Sequence, residues 1–217
     1  MDSADRDLTT VCSLADSTRR SLYAAVAAAR TPLTRDAAAA AVGVDRAVAA
    51  YHLDRLVEEG LLVASFARPE GRSGPGAGRP AKHYERSEAE VSVSLPPRAY
   101  GALAELLAAA VEAAASGEVR TALQRAAASM GRQMAQEHDD VMSALAGQGY
   151  EPYDDDGVVR MANCPFHQLA QGHTELVCGM NLALMRGVTD GLGESGLQPL
   201  LDPAPGRCCV ALTADRR

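Results

Sequence analysis

Four cysteines lie in the last third of this 217-residue chain, at Cys164, Cys178, Cys208 and Cys209, whereas the first 160 residues contain only Cys12. Thiolates are soft ligands for iron–sulfur clusters and zinc, and they are also the reactive form of cysteine in redox chemistry. Five is an odd number, and no pairing scheme is apparent. The cysteines therefore favour metal binding or redox sensing over structural disulfides.

The spacing of these cysteines separates the possible metal centres. Thirteen residues lie between Cys164 and Cys178, and twenty-nine between Cys178 and Cys208. No C-x-x-C pair occurs, which argues against a zinc ribbon or a ferredoxin-type run. Thiolates on three separate elements can surround a cluster more readily than they can close on one small ion. We predict Cys164, Cys178 and Cys208 as the metal ligands.

Other side chains rank behind these three as ligands. Cys209 is expected on the opposite strand face from Cys208, as a small apolar core residue. His167 and His173 are near Cys164 and Cys178 in sequence, and either could be a fourth ligand. The alternatives are a single zinc-like ion, a thiol redox switch or no cofactor. A more remote alternative is an enzyme or small-ligand domain that uses a Cys/His pair.

The elements that must position the cysteines form a small α+β unit. A hairpin is expected to turn at Asp156-Gly157 and to lead to Cys164 at a strand-to-helix junction. A helix opens at Thr174 or Glu175 and runs to about Gly191, with Cys178 near its start. Strands are predicted for 197–201 and 208–212.

The N-terminal part has the pattern of a helix-turn-helix. Asp16 or Ser17 can cap a helix over residues 17–30, Thr34 can cap Arg35 to Val42, and Asp45 can cap Arg46 to Glu59. Gly43 and Gly60 follow the last two helices as C-terminal glycines do. In the third helix, the pattern places Val48, Leu53, Leu56 and Val57 toward the core. Two short helices around a glycine turn predict a DNA-reading motif.

A β-hairpin follows the helices. Residues 61–66 form a β-prone run, a long Gly/Pro-rich segment comes next, and His83 to Arg86 return as a strand. A basic tip on such a hairpin is a wing that contacts phosphates or the minor groove. The predicted DNA contacts of helices and wing together are Arg35, Arg46, Ala47, Ala50, Tyr51, His52, Arg55, Arg72, Arg79 and Lys82.

Charge is distributed as a DNA-binding module of this kind requires. The net charge of the chain is −7, but residues 17–86 hold 11 Lys and Arg against seven Asp and Glu. The rest of the chain is acidic. We therefore predict that double-stranded operator DNA binds at the N-terminal segment.

Apolar-striped helices are expected between the two ends of the chain, over residues 98–115, 118–137 and 139–146. Such helices behind a winged helix favour a homodimer, although a monomeric helical core is the alternative. The predicted class is α+β, mainly α. We divide it into a winged helix-turn-helix domain (1–90), a helical dimerisation region (91–147) and a C-terminal cysteine-bearing sensor domain (148–217).

Two parts of the chain resemble known families. Residues 49–62 and 78–84 are similar to the recognition helix and wing of ArsR/DeoR-type winged helices. Asn163-Cys164-Pro165-Phe166, Leu176-Val177-Cys178 with Asn181, and residues 205–209 resemble the sensor half of SufR-type regulators, bacterial repressors of iron–sulfur assembly genes that carry a [4Fe-4S] cluster. The resemblance implies that Cys164, Cys178 and Cys208 are cluster thiolates, and the long gap before Cys208 departs from the more even spacing of the family.

The sequence also argues against several functional classes. No apolar run reaches the length of a membrane span, and the N-terminus lacks the basic and apolar regions of a signal peptide, so we expect a cytoplasmic location. G-x-S-x-G, H-E-x-x-H and P-loop motifs do not occur, and we expect no enzyme activity. The leading hypothesis is a transcriptional repressor that senses iron–sulfur or redox status through a [4Fe-4S] cluster.

Overall fold

The structure is a computed structural model that describes residues 3–67, 80–94, 98–114, 117–193 and 196–214. The chain divides into two compact units, Met1–Arg98 and Ala99–Arg217. Helices predominate and strands occur in both units, so the predicted mixed and mainly helical class is confirmed.

The first unit contains four helices and a small sheet. Its helices are α1 (Ser3–Ser13), α2 (Ser17–Ala28), α3 (Arg35–Val42) and α4 (Arg46–Glu58). The side chains of Asp16, Thr34 and Asp45 accept hydrogen bonds from backbone amides at the starts of α2, α3 and α4. These contacts satisfy amides that have no partner within the helix, so the predicted caps are confirmed.

The sheet of the first unit contains β1 (Leu33–Thr34), β2 (Leu62–Ala67) and β3 (Ala81–Arg86) in the order β1-β3-β2. All its pairs are antiparallel, and Leu62 pairs with Arg86 at the base of the β2–β3 hairpin. The predicted wing is thus present as two paired strands. Its tip, with Arg72 and Arg79, lies outside the described residues.

The second unit is built around two long helices. It contains α5 (Tyr100–Ala113), α6 (Gly117–Gln136), α7 (Val141–Ala146), α8 (His167–Gly172) and α9 (Thr174–Leu192). Helices α6 and α9 pack closely at glycines: a Cβ at Gly131 would lie 2.1 Å from the carbonyl oxygen of Leu184, and one at Gly187 would lie 2.1 Å from that of Ala128. The missing side chains allow the two backbones to meet.

A four-stranded antiparallel sheet completes this unit. Its strands are β4 (Pro152–Asp155), β5 (Val158–Met161), β6 (Leu197–Leu201) and β7 (Val210–Ala214), in the order β4-β5-β7-β6. The β4–β5 turn at Asp156-Gly157 has positive φ at both residues, as predicted for this hairpin. The core joins β5 and β7 to one face of α9 through Met161, Met185 and Leu212.

Two details differ from the sequence prediction. The last strand begins at Val210, so Cys208 and Cys209 lie in the connection that precedes it. Helix α8, which follows Cys164, was not predicted as a separate helix. The elements 99–147 and the cysteine-bearing elements lie in the same compact unit. The functional division of the chain into three domains stays a prediction.

Candidate functional sites

The helix-turn-helix consists of α3 and α4 joined through Gly43. Gly43 has φ +74°, a left-handed conformation that favours glycine, and its amide donates to the carbonyl oxygen of Ala39. Asp45 then starts α4 by accepting from the amide of Ala47. The inner face of α4 is buried through Ala49, Leu53 and Leu56.

The outer face of α4 is available to a ligand. Tyr51 is 64% exposed, and Arg46, Ala47 and Arg55 are exposed, whereas Ala50 is half-buried. Val48 is exposed as well, so its predicted core position is wrong. Ala49 occupies that position, because the buried stripe follows 49, 53 and 56.

Both arginines of this face are in ion pairs. Arg46 Nε lies 2.6 Å from Asp36 Oδ1, and Arg55 contacts Glu58 and Glu59. Ion pairs between exposed side chains contribute little net free energy, about 0–1 kcal/mol. A DNA phosphate can therefore replace the carboxylates at small cost.

Two other predicted DNA-binding residues take part in an internal network. Asp54 accepts from the hydroxyl of Tyr84 at 2.6 Å, from Lys82 Nζ at 2.6 Å and from Arg35 at 3.0 Å. Arg35 Nε also donates to Tyr84 Oη at 2.8 Å. The network ties α3 and α4 to β3, and it places Arg35 and Lys82 in positions that orient α4.

The ionisation of this network follows from its contacts. Although partial burial opposes ionisation of Asp54, the hydrogen bonds from Lys82 and Tyr84 lower its pKa. Burial, reinforced by Asp54, raises the pKa of Tyr84 to about 12. Asp54 is thus ionised and Tyr84 is a neutral donor near neutral pH.

His52 occupies the inner side of α4. It is 9% exposed, and its Nδ1 accepts from Arg19 Nε of α2 at 3.4 Å. Its ring edge also packs against Tyr51. This placement supports the position of Tyr51 and turns His52 away from the exposed face.

The four cysteines of the second unit come together from three parts of the chain. Cys164 lies in the connection between β5 and α8, Cys178 on the second turn of α9, and Cys208 and Cys209 before β7. Cys178 and Cys208 are buried, and Cys164 and Cys209 are half-buried. We call these four residues the thiol group. Cys12 is exposed on α1.

Contacts within the thiol group are short. Cys178 Sγ and Cys209 Sγ are 2.7 Å apart. Cys208 and Cys164 also share a side-chain hydrogen bond. The adjacent residues Cys208 and Cys209 therefore contact different partners.

A buried polar chain supports the thiol group from α9. Asn181 is 2% exposed; its Nδ2 donates to Cys208 Sγ at 3.3 Å, and its Oδ1 accepts from the hydroxyl of Tyr150 at 2.6 Å. Cys178 and Asn181 share a helix face because they are three residues apart. That spacing was a signal in the sequence for Asn181, whereas no signal marked Tyr150.

The thiols differ in their ionisation. The hydrogen bond from Cys208 lowers the pKa of Cys164 to about 7. Burial, together with Cys209, raises the pKa of Cys178 to about 12. The pKa of Cys208 is also raised, by its hydrogen bond to Cys164 and by burial. Of these three thiols, Cys164 therefore ionises most readily.

The two candidate histidines face other partners. His167 is exposed and contacts Gln171 on the same helix. Both ring nitrogens of His173 face carboxylates of α5, Nδ1 at 2.8 Å from Glu112 and Nε2 at 3.1 Å from Glu105. These contacts raise the pKa of His173, Glu112 contributing most. As placed, His173 has no nitrogen free for a metal ion.

The thiol group has the donors but not the spacing of a single-ion site. In the described ranges, no three His, Cys, Asp or Glu side chains are arranged to hold a metal ion. A tetrahedral zinc with Zn–S bonds of about 2.3 Å separates its sulfurs by roughly 3.8 Å. The 2.7 Å contact between Cys178 and Cys209 is shorter, so this pair must separate before both sulfurs can bind one metal centre.

Comparison with known proteins supports a DNA-binding function for the first unit. A family model described as a helix-turn-helix domain matches residues 14–64, which span α2, α3, α4 and the start of β2. No curated protein and no solved structure matches the chain. The match and the wing strands together support a DNA-binding transcriptional regulator with a winged helix-turn-helix. Among the described residues, no helix combines the length and apolar character needed to span a bilayer.

Proposed function

We propose that the chain is a homodimeric repressor that binds a double-stranded DNA operator and senses iron–sulfur or redox status through a cluster on its C-terminal cysteines. The observation that carries the proposal is the thiol group: four cysteines from three separate segments meet in a chain whose first unit has an exposed helix-turn-helix.

The DNA-binding part of the proposal assigns base reading to the exposed face of α4. Ala47 and Ala50 are small enough for the helix to lie deep in the major groove, while Tyr51, Arg46 and Arg55 reach base edges or phosphates. The wing cations Arg72 and Arg79 are proposed to contact phosphates or the minor groove. Arg35, His52 and Lys82 are proposed to act indirectly by holding α4 in place.

Salt dependence tests this assignment. Replacement of Arg55 by Ala should reduce affinity for all DNA sequences and lower the magnitude of the slope of log K against log salt by about 0.9, which corresponds to one phosphate contact. Arg120→Ala is the matched control, because Arg120 lies on α6, is ion-paired as Arg55 is, and has a side chain of similar exposure. Equal slopes for the two variants would remove α4 from the proposed interface.

The sensing part of the proposal assigns Cys164, Cys178 and Cys208 as thiolate ligands of a [4Fe-4S] cluster, with Cys209 next in rank. An all-sulfur donor set fits iron–sulfur clusters and zinc better than harder metals. Asn181 supports this fit, because an amide N–H that donates to Cys208 Sγ stabilises the anionic sulfur that a metal requires. A bound cluster would supply oxygen- and redox-sensitive chemistry at this site.

Anaerobic reconstitution with iron and sulfide tests the ligands. The wild type should acquire iron and acid-labile sulfide in near-equal amounts with broad visible absorption, and Cys164→Ser should lose both. Cys12→Ser is the control, because that cysteine is exposed on α1. A colourless protein that takes up one zinc would favour the single-ion alternative, and a protein that takes up neither would refute a metal centre.

The dimer part of the proposal assigns the interface to α5. Among its residues only Ala108 is buried, while Leu106 is 70% exposed and Tyr100, Leu103 and Leu107 are exposed beside it. A second copy that covers this apolar face would give the two-fold symmetry of a palindromic operator. The other apolar-striped helices are less available, since α6 packs against α9.

Light scattering tests the dimer. Wild type should have twice the 22.7 kDa mass of the chain, and Leu106→Glu should have the single mass. Leu201→Glu is the control, since it charges an exposed leucine of β6. A monomeric wild type, or a dimeric Leu106→Glu variant, would contradict this assignment.

A further inference from the structure

We propose that Cys178 and Cys209 close to a reversible intramolecular disulfide when the chain meets a peroxide. The disulfide itself requires no metal. Only its consequence, the loss of a ligand thiolate, rests on the proposed function.

The distance between the two sulfurs carries the inference. Cys178 Sγ and Cys209 Sγ are 2.7 Å apart, whereas a disulfide bond measures about 2.05 Å. Closure therefore needs a movement of roughly 0.7 Å, which is within the range of small χ1 rotations. Non-bonded heavy atoms normally stay about 3.5–4.0 Å apart. The pair is thus already inside ordinary contact distance.

Backbone contacts hold Cys178 and Cys209 at this short distance. Cys178 lies on α9, which is packed into the core of the second unit. The segment before β7 is fixed on both sides, because the amide of Cys208 donates to the carbonyl oxygen of Met161 at 2.9 Å and the carbonyl oxygen of Cys209 accepts from Asp202 at 2.7 Å. The approach of the two sulfurs is therefore built into the fold.

Within the Cys178–Cys209 pair, exposure indicates which sulfur reacts first. Cys209 is half-buried, whereas Cys178 is 8% exposed. The accessible sulfur of Cys209 attacks one peroxide oxygen, the O–O bond breaks, and Cys209 sulfenic acid and one water form. Cys178 then attacks the sulfenic sulfur, and its proton leaves with the hydroxyl as a second water. Each sulfur loses one electron, and the peroxide gains two.

The other pairings within the thiol group are less favoured. Cys208 and Cys209 are adjacent, and their side chains contact different partners. Cys164 and Cys208 are in contact, but Asn181 also donates to Cys208 and fixes its sulfur within the buried polar chain. Cys178 has Cys209 as its short sulfur contact.

Peptide mapping of the full chain tests the proposal. The reduced, chelator-treated protein would be exposed to hydrogen peroxide in equimolar amount, alkylated and digested without reductant. Free thiols should fall from five to three per chain, and one linked peptide pair should contain Cys178 and Cys209. Dithiothreitol should restore all five. In Cys12→Ser the same linkage should form, and in Cys209→Ser it should not.

The outcomes separate this inference from the proposed cluster. A Cys164–Cys208 or Cys208–Cys209 linkage, an intermolecular linkage, or five remaining thiols would overturn the disulfide even if Cys209→Ser fails to fold, because mapping uses the wild type. The linkage should also block iron uptake during reconstitution. If the linkage forms but the reduced protein takes up no iron, the disulfide stands and the cluster is refuted.

Discussion

Replacement of Asp54 by Ala is expected to destabilise the first unit more than any loss of exposed charge on the same helix. Asp54 is the common acceptor of Tyr84, Lys82 and Arg35, which come from β3 and α3. Its removal leaves the hydroxyl of Tyr84 without an acceptor, and Tyr84 is fully buried. The contact of α4 with the wing strand depends on this acceptor.

The magnitude follows from the contacts. An unsatisfied buried donor costs about 1–3 kcal/mol. The side chain of Asp54 is 39% exposed, so solvent screens its pairs with Arg35 and Lys82, and each contributes roughly 0.5 kcal/mol. Alanine returns about 0.5 kcal/mol through its higher helix propensity. The net loss is about 2.5 kcal/mol.

Hydrogen exchange of the full-length protein measures this loss. Amides of α4 that exchange through opening of the first unit should exchange about 60-fold faster, since a tenfold change corresponds to roughly 1.4 kcal/mol. Glu58→Ala is the matched control on α4, because it removes the exposed pair with Arg55. It should change exchange by no more than about threefold. Equal effects of the two substitutions would refute the argued role of Asp54.

Acid should reduce the difference in hydrogen-exchange rate between wild type and Asp54→Ala. The pKa of Asp54 is lowered in the folded state, so its ionised form stabilises the fold above the unfolded pKa of about 3.9. This contribution is lost as the pH falls through the lower folded value. The difference in exchange should be constant from pH 7 to about pH 5 and should shrink below pH 4. A constant difference down to pH 2 would contradict the sign of this linkage.

Three further substitutions test the second unit by urea unfolding. Gly187→Ala should lower the unfolding free energy by about 1–3 kcal/mol or more, because its Cβ would lie 2.1 Å from the carbonyl oxygen of Ala128. Gly179→Ala is the control, because its Cβ would have its nearest contact at 3.7 Å, and it should raise the unfolding free energy by about 0.5–1 kcal/mol. If both substitutions changed the unfolding free energy in the same direction, the close contact between α6 and α9 would be contradicted. Tyr150→Phe should lower the unfolding free energy by about 1–3 kcal/mol, because it leaves the buried Oδ1 of Asn181 without its donor. An unchanged urea midpoint would show that water replaces the hydroxyl.

Local signals in the sequence predicted the first unit well. Asp16, Thr34 and Asp45 lie at helix starts and Gly43 at a helix end, and each forms the backbone contact that its residue type favours. The interactions of Arg35 and Lys82 were not predictable in the same way. Their partner Asp54 is 19 and 28 residues away, and tertiary packing alone brings the three together.

The convergence of the cysteines was predicted from residue type and context, but its geometry was not. Strand alternation separated Cys208 from Cys209, and Cys209 was assigned to the core on that ground. The structure places both before β7, outside the regular strand, where each side chain meets a different thiol. Strand alternation therefore correctly predicts that the two side chains point in different directions. Cys209 nevertheless belongs to the thiol group, because its sulfur contacts Cys178.

The adjacent position of Cys208 and Cys209 has a further physical consequence. Cys208 is held by Asn181 and contacts Cys164, while Cys209 contacts Cys178 on α9. A metal centre on Cys164, Cys178 and Cys208 would bind Cys178 Sγ, whereas the proposed disulfide bonds the same sulfur to Cys209. The metal-bound form and the disulfide therefore compete for Cys178 Sγ. Protection of Cys178 by a bound metal centre should therefore slow peroxide closure of the pair, and equal closure rates in loaded and unloaded protein would exclude Cys178 as a ligand.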